Sequence, residues 1–306
     1  MLLSKKPFIF QSLLLFLFIP LVNAAAQVAA SPQATQAQTE HTLVFMTDFG
    51  LEDDSVAICK AVMLRIDPTL RIMDITHQVT PYSISDGARY LAATAPYYGP
   101  GTVFVVVIDP GVGSTRKAIV AKSKRGQYFV LPDNGLLTLV EERDGIAEAR
   151  EITNVAWMIG EKRSSTFHGR DIFSPVGAHL ARGDDFAGVG PVITNLVRLD
   201  LAPARIENGV LNGEIIAIDG PFGNLITNID TELFAKLDYS IGDTVTFEIP
   251  KKSYHVPFVR TFSDVPVGKP LLYIDSRGYL AIAINQGNAQ TILRVKPPVP
   301  IFIWKK

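Results

Sequence analysis

The stretch Thr102 to Ile108 (TVFVVVI) is seven residues long and carries no charge. A run this short and this uniformly apolar, rich in β-branched residues, reads as a strand covered on both faces. Such strands belong inside α/β layer folds, and Thr42 to Met46 repeats the texture. Between the two runs, Ser55 to Ile66 reads as a helix with Val56, Cys59, Met63 and Leu64 on one side. Ile84, Ala88, Leu91, Ala92 and Ala95 fall on a second helical face. Strand, helix, strand, helix predicts an N-terminal α/β domain with a mostly parallel sheet over residues 42–190.

The texture then changes. Residues 191–208 hold two prolines and no clear period, which suits a linker. Over residues 209–306 short strand patterns recur between turns: Glu214 to Ile218, Thr244 to Ile249, Leu271 to Ile274 and Leu280 to Ile284. Val245, Phe247 and Ile249 alternate with polar neighbours, the period-2 mark of a half-buried strand. A small β-sandwich or β-barrel domain is expected there. No internal repeat is evident.

Residues 1–24 read as a signal peptide: Lys5 and Lys6, an apolar run to Ile19, Pro20, then Val22-Asn23-Ala24. Phe8 to Val22 falls short of the roughly 20 residues a membrane span requires, so no stable membrane insertion is expected after cleavage. Residues 25–41, rich in Ala, Gln, Ser and Thr, read as a disordered leader. Export to the periplasm or medium is therefore expected. In 306 residues the net charge is −1 with no basic run, which excludes the electrostatic footprint of a nucleic-acid partner. Cys59 is the single cysteine, excluding an intrachain disulfide framework and a multi-Cys zinc site. It sits mid-helix among apolar neighbours as an inert core thiol.

In open α/β sheets ligands sit beyond the carboxyl ends of the strands, and three polar clusters occupy such places. Thr47-Asp48-Phe49-Gly50, with Asp53 and Asp54, follows the first strand. A carboxylate there can accept both hydroxyls of a ribose or ligate a metal, while Asp53 or Asp54 can instead cap the next helix. Asp109-Pro110-Gly111-Val112-Gly113-Ser114-Thr115-Arg116 follows TVFVVVI, with Arg116 near enough along the chain to pair with Asp109. It lacks the full G-x-G-x-x-G and the P-loop lysine, so nucleotide phosphates are poorly supported. Thr166-Phe167-His168-Gly169-Arg170-Asp171 precedes a helix carrying Ile172, Val176 and Leu180. The histidines are scattered without ligand spacing, so no metal is expected. No Gly-x-Ser-x-Gly elbow exists for a serine hydrolase. In the C-terminal half, Asp219-Gly220-Pro221-Phe222-Gly223-Asn224 reads either as a turn offering a stacking face and amide bonds to a purine, or as a plain β-turn with a core Phe. Ser276-Arg277-Gly278 reads as a hairpin turn first.

Taken in order, TDFG at 47–50, DITHQVTP at 74–81, IDPGVG at 108–113, PDNGLL at 132–137, TFHGRDIFSP at 166–175, DGPFGNLITN at 219–228 and NQGNA at 285–289 resemble the S-adenosyl-L-methionine (SAM) hydroxide adenosyltransferase family. These SAM hydrolases are relatives of the SAM-dependent fluorinase and chlorinase. The resemblance implies an N-terminal α/β domain, a C-terminal β-barrel, a homotrimer with sites between neighbouring subunits, and SAM as substrate with no cofactor. It assigns Asp109, Arg116 and His168 to a water-activating triad, Asp48 to the ribose hydroxyls and Tyr82 to the side of the sugar. It assigns Phe222 and Asn224 to adenine, and Asp53, Asp219, Ser276 and Arg277 to the methionine moiety. The implied reaction is hydrolysis of SAM to adenosine and L-methionine. Two alternatives stand beside it. Asp53-Asp54-Ser55-Val56-Ala57 and Gly87-Ala88-Arg89-Tyr90 look closer to halogenases, which favours halide transfer, but halogenases carry Tyr where this chain has Asp109, and an ionised carboxylate repels a halide. The other is an exported adenosyl-binding protein without turnover, which would have no need of His168.

Overall fold

A computed structural model describes residues 41–160, 162–250 and 252–306. The export segment and nearly all of the leader lie outside the described residues. In chain order the first half contains β1 (Thr42–Thr47), α1 (Ser55–Ile66), β2 (Arg71–Thr76), α2 (Ile84–Thr94), β3 (Val103–Val107), β4 (Ala118–Ser123), β5 (Tyr128–Pro132), α3 (Thr138–Asp144), β6 (Ile146–Glu151), α4 (Ser174–Ala181) and β7 (Val192–Ile193). These strands form one sheet in the order β2-β1-β3-β5-β4-β6-β7.

The run that dominates the sequence is β3, at the centre of this sheet, and its two faces separate residue by residue. Val103, Val105 and Val107 join Leu43 and Phe45 in a core closed by α1 and α4 through Cys59, Met63 and Val176. Phe104, Val106 and Ile108 join Val44 and Met46 in a second core closed by α2 and α3 through Leu91 and Val140. Helices on both faces are why every residue of β3 is apolar, and each fully buried Val or Phe contributes about 1.5–3 kcal/mol relative to exposure. Cys59 is buried in the first of these cores, where burial pushes its thiol up to about 11. Leu64, expected on the packed side of α1, is instead 41% exposed.

The sheet is parallel where the helices cross over it and antiparallel beyond. β1 pairs in parallel with β2 and β3, and β3 with β5. β4 then pairs antiparallel with β5 and β6, and β6 with β7. The antiparallel part arises from the tight turn between β4 and β5, where the Gly126 N–H donates to Ser123 O at 2.9 Å; a turn this short can only reverse the chain. The segment that follows β7 is fastened to the first layer. The Val197 N–H donates to Asp133 Oδ1 at 2.9 Å, the Leu199 N–H to Thr138 Oγ1 at 2.9 Å, and Arg198 pairs with Glu141 at 2.6 Å.

The second half contains β8 (Arg205–Glu207), β9 (Val210–Asp219), β10 (Asn224–Asp230), α5 (Thr231–Ala235), β11 (Thr244–Ile249), β12 (Lys252–Pro257), β13 (Pro270–Ile274), β14 (Tyr279–Ile284), α6 (Ala289–Leu293) and β15 (Val299–Trp304). Its sheet runs β12-β11-β15-β9-β10-β14-β13, with β8 on β9. The two ends of that order meet: Phe258, just past β12, bridges Leu272 of β13, and the Val259 N–H donates to Leu272 O at 2.9 Å. The sheet therefore curls into a nearly closed barrel, which removes most of its free edge. Val245, Phe247 and Ile249 point into its core while Thr244 and Glu248 face out, as the alternation predicts. Among the described residues no helix is long and apolar enough to cross a membrane.

Candidate active site

The ends of β1 and β3 deliver two carboxylates to one rim of the first sheet. Asp48 follows β1, and its Oδ2 accepts the Tyr82 N–H at 2.9 Å. Asp109 follows β3 at the head of a compact loop in which the Val112 N–H donates to Asp109 O and the Ser114 N–H to Gly111 O, at 3.2 and 3.0 Å. Gly113 has φ of +79°, and a Cβ there would lie 2.5 Å from Ser165 O, so only glycine lets this loop rest against the segment leading to His168. The loop turns Arg116 back onto Asp109. Nε donates to Oδ1 at 3.0 Å, and Nη2 donates to Oδ2. This is a two-pronged guanidinium–carboxylate pair with side chains only 11% and 5% exposed.

His168 stands at the mouth of a π-helical turn, Gly169–Phe173, that runs directly into α4. Such turns recur at functional sites because the extra residue per turn re-aims side chains. The approach to it is stapled by Asp171, which takes the Ser164 N–H at 2.7 Å and Arg170 Nε at 2.6 Å. Burial pushes the Asp171 carboxyl up, but Arg170 and the Ser164 N–H outweigh it and hold the group below its ordinary value. Arg116 Nη2 lies 2.8 Å from His168 Nδ1. A guanidinium can only donate, so Nδ1 accepts, and the neutral ring carries its proton on Nε2. Burial, and next the charge of Arg116, push the His168 pKa below its ordinary 6.5, with Asp109 opposing. Imidazole, guanidinium and carboxylate thus form one hydrogen-bonded unit.

Asp48, Tyr82, Asp109 and His168 line a cavity of about 390 Å³, with Phe49, Phe167, Val107 and Thr166 among its walls. Arg116 stands behind it, its guanidinium 5.3 Å over the Phe173 ring. The two wall aromatics meet edge to face, centroids 5.9 Å apart. Neither stood out as a lining residue in the sequence; the only signal was membership of the TDFG and TFHGRD motifs. A carboxylate rim, a polar triad and apolar walls suit a nucleoside-sized ligand bearing hydroxyls. Among the described residues no group of three or more His, Cys, Asp or Glu is placed to hold a metal ion.

The remaining sequence-marked residues lie elsewhere. Asp53 is exposed at the start of α1, where its Oδ1 accepts the Ser55 N–H at 2.9 Å, and that bond lowers its pKa. Asp54 occupies the N-cap position without a side-chain bond. Neither lines the cavity. Asp219, Phe222, Asn224, Ser276 and Arg277 belong to the barrel. Asp219 and Asn224 pair across the β9–β10 turn, and Arg277 Nη1 approaches Asp219 Oδ1 at 3.6 Å from the turn between β13 and β14. Phe222 is 69% exposed, which removes the reading of that segment as a turn with a core Phe. None of these five lines the cavity of the same chain.

An open α/β sheet that gathers carboxylate, guanidinium and imidazole at its strand ends, joined to a nearly closed barrel, defines a two-part class of protein with its polar site on the α/β part. The models of the SAM hydroxide adenosyltransferase N-terminal and C-terminal domains match residues 43–190 and 213–301, and the chain belongs to that family. It is 40% identical over 258 residues to an (R)-S-adenosyl-L-methionine hydrolase of Salinispora arenicola (strain CNS-205), covering 83% of this chain and 94% of that one. It is 35% identical over 297 residues to a fluorinase of Actinoplanes sp. (strain N902-109), covering 86% and 97%. A crystal structure of an uncharacterized conserved protein from Thermotoga maritima superposes with a TM-score of 0.82 at 42% identity, covering 86% of this chain and 99% of that one.

Proposed function

We propose that this chain hydrolyses SAM to adenosine and L-methionine by in-line attack of water on C5′. The observation that carries the reading is the Asp109–Arg116–His168 unit, whose Asp109 and His168 line a cavity that Asp48 also lines. Attack at C5′ forms the C–O bond as the C–S bond breaks, and the bonding pair returns to sulfur. The sulfonium leaves as a neutral thioether, so no general acid is required. What remains is to hold a nucleophile in line, which can contribute several kcal/mol. With Nδ1 accepting from Arg116, His168 offers Nε2–H to the water oxygen. Asp109 offers a carboxylate lone pair to a water proton, which passes through it to bulk solvent as the O–C bond forms. Arg116 sets the orientation of both partners at once. Asp48 accepts from the ribose hydroxyls beside Tyr82.

Phe222 and Asn224 would contact adenine, and Asp219, Ser276, Arg277 and Asp53 the methionine moiety, with the barrel residues supplied by a neighbouring copy in a homotrimer. In support, the barrel residues line no part of the cavity in their own chain, and Tyr82 and Phe222 are 75% and 69% exposed. Residues 1–24 would direct export and be removed, as their n-region, h-region and small-residue site suggest.

The test is incubation of the protein with SAM, without halide and then with chloride or fluoride, reading products by mass-resolved chromatography. Adenosine plus methionine, unaffected by halide and lost in His168→Ala, is expected. A 5′-halo-adenosine would replace the reading with halide transfer. Saturable SAM binding with no product would make the chain a binder.

A further inference from the structure

The DITHQVTP stretch at 74–81 has no part in the chemistry above, yet its histidine is buried beside the Asp48 loop. His77 is 3% exposed and Thr47 not at all. The segment after β2 clasps the segment after β1 at three points. The Gly50 N–H donates to His77 O at 2.7 Å, Thr47 Oγ1 meets His77 Nδ1 at 2.9 Å, and the Tyr82 N–H donates to Asp48 Oδ2 at 2.9 Å. Tyr82 makes the last bond from a left-handed backbone, φ +67°, a strained conformation for a bulky residue that only a firm surround maintains.

The hydrogen-bond inventory at Thr47 fixes the state of His77. Thr47 Oγ1 already accepts the Phe49 N–H at 3.2 Å. A hydroxyl has one proton, and at this fully buried site its acceptor is His77 Nδ1. Were Nδ1 protonated, it would donate to Oγ1, and the threonine proton would be stranded without a partner, at a cost comparable to a lost buried hydrogen bond. The bond to Thr47 is therefore satisfied by the neutral ring with its proton on Nε2, which lies 3.1 Å from Asp74 Oδ1 but outside hydrogen-bonding geometry. Asp74 in turn takes Lys60 Nζ from α1 at 2.6 Å. Phe45 closes one side of the ring edge to face, centroids 4.9 Å apart. The charged groups that face His77 are thus Asp74 of β2, three residues before it, and Lys60 on α1; burial lowers the His77 pKa, with Asp74 opposing.

We propose that neutral His77, acting through Thr47, is the positioning residue that fixes the Asp48 carboxylate for the substrate. The inference rests on the reading of Asp48 as a ribose ligand. His77 touches no substrate; it acts by orienting the backbone between Thr47 and Gly50.

The test uses Thr47→Val, which keeps the volume and removes the hydroxyl, His77→Leu, and His77→Asn, whose amide oxygen restores an acceptor near the Nδ1 position. Thr47→Val and His77→Leu are expected to raise KM for SAM, and Kd for adenosine by calorimetry, by about 10-fold, the scale of one buried hydrogen bond. kcat should change by less than about 3-fold, because the Asp109 unit is untouched. His77→Asn should recover most of the loss. In the unaltered protein KM should rise as pH falls through the His77 pKa, below 6.5, and this limb should vanish in His77→Asn. If His77→Leu does not fold, Thr47→Val carries the test. Unchanged KM and Kd in folded Thr47→Val, while Asp48→Ala weakens binding, would overturn the positioning role alone. Unchanged binding in Asp48→Ala would overturn the ribose reading, and the proposal with it.

Discussion

Arg116 occupies a position where one side chain sets two others. Two of its N–H groups hold Asp109, and the one that reaches Oδ2 also approaches His168 Nδ1. Replacing it with glutamine removes the charge, leaves Asp109 free to rotate and takes away the donor to Nδ1, so kcat is expected to fall by ~10²-fold or more, the low end of what positioned acid–base groups contribute. The pH profile tests the electrostatics separately. The His168 pKa lies below 6.5, from burial first and from Arg116 second. Protonation destroys the acceptor at Nδ1 and puts a second cation beside the guanidinium. Activity is therefore flat through neutral pH and lost as pH falls through the His168 pKa. In Arg116→Gln burial and the weaker influence of Arg163 remain to lower that pKa, so the acid limb of kcat/KM should move up toward 6.5. A limb that stays in place would show that another group titrates.

Elements declared themselves in the sequence where periodicity and burial coincide. β3 was legible because α1 and α4 cover one face and α2 and α3 the other, so none of its five residues is polar. β11 was legible because only one face is covered. Direction was not legible: hydrophobic period reports which face is buried, not which way a neighbour runs, so the antiparallel pairing of β4, β5 and β6 needed the turn geometry after Ser123. The π-helical turn at Gly169–Phe173 has no compositional mark either. The closeness of α4 to β3 is a further consequence that residues alone conceal. A Cβ on Gly177 would lie 2.2 Å from Val105 Cγ2, so the helix can sit at this depth only without a side chain there. Gly177→Ala should destabilise the fold by about 1–3 kcal/mol through overpacking, despite the better helix propensity of alanine. Chemical denaturation measures this, and a stability within about 0.5 kcal/mol of the parent would mean that α4 can ride outward at little cost.

At the scale of the whole molecule, the sequence marked site residues on both halves of the chain, but the chain does not gather them. Asp48, Tyr82, Asp109 and His168 share one cavity, whereas Asp219, Phe222, Asn224, Ser276 and Arg277 surround exposed turns of the barrel. Motifs identify which residues act; they carry no information on which copy supplies them. The proposed homotrimer makes this a matter of counting. If each site takes its α/β part from one protomer and its barrel part from the next, Asp109→Ala and Arg277→Ala disable different partners of the same site. Each variant alone spoils every site. Co-expressed in equal amounts and mixed at random, the two yield intact pairings at about one quarter of the sites, since each half is unaltered with a chance of about one half in such a heterologous ring. SAM turnover by the mixed preparation should therefore recover to about a quarter of the parent value, with the two variants separately near zero. Arg277 is a suitable partner because its guanidinium is part exposed and paired with Asp219 only at 3.6 Å, so its loss leaves the barrel core intact. A mixed preparation no more active than either variant would mean that each chain completes its own site, with the barrel turns reaching the cavity by a movement of the chain rather than by assembly.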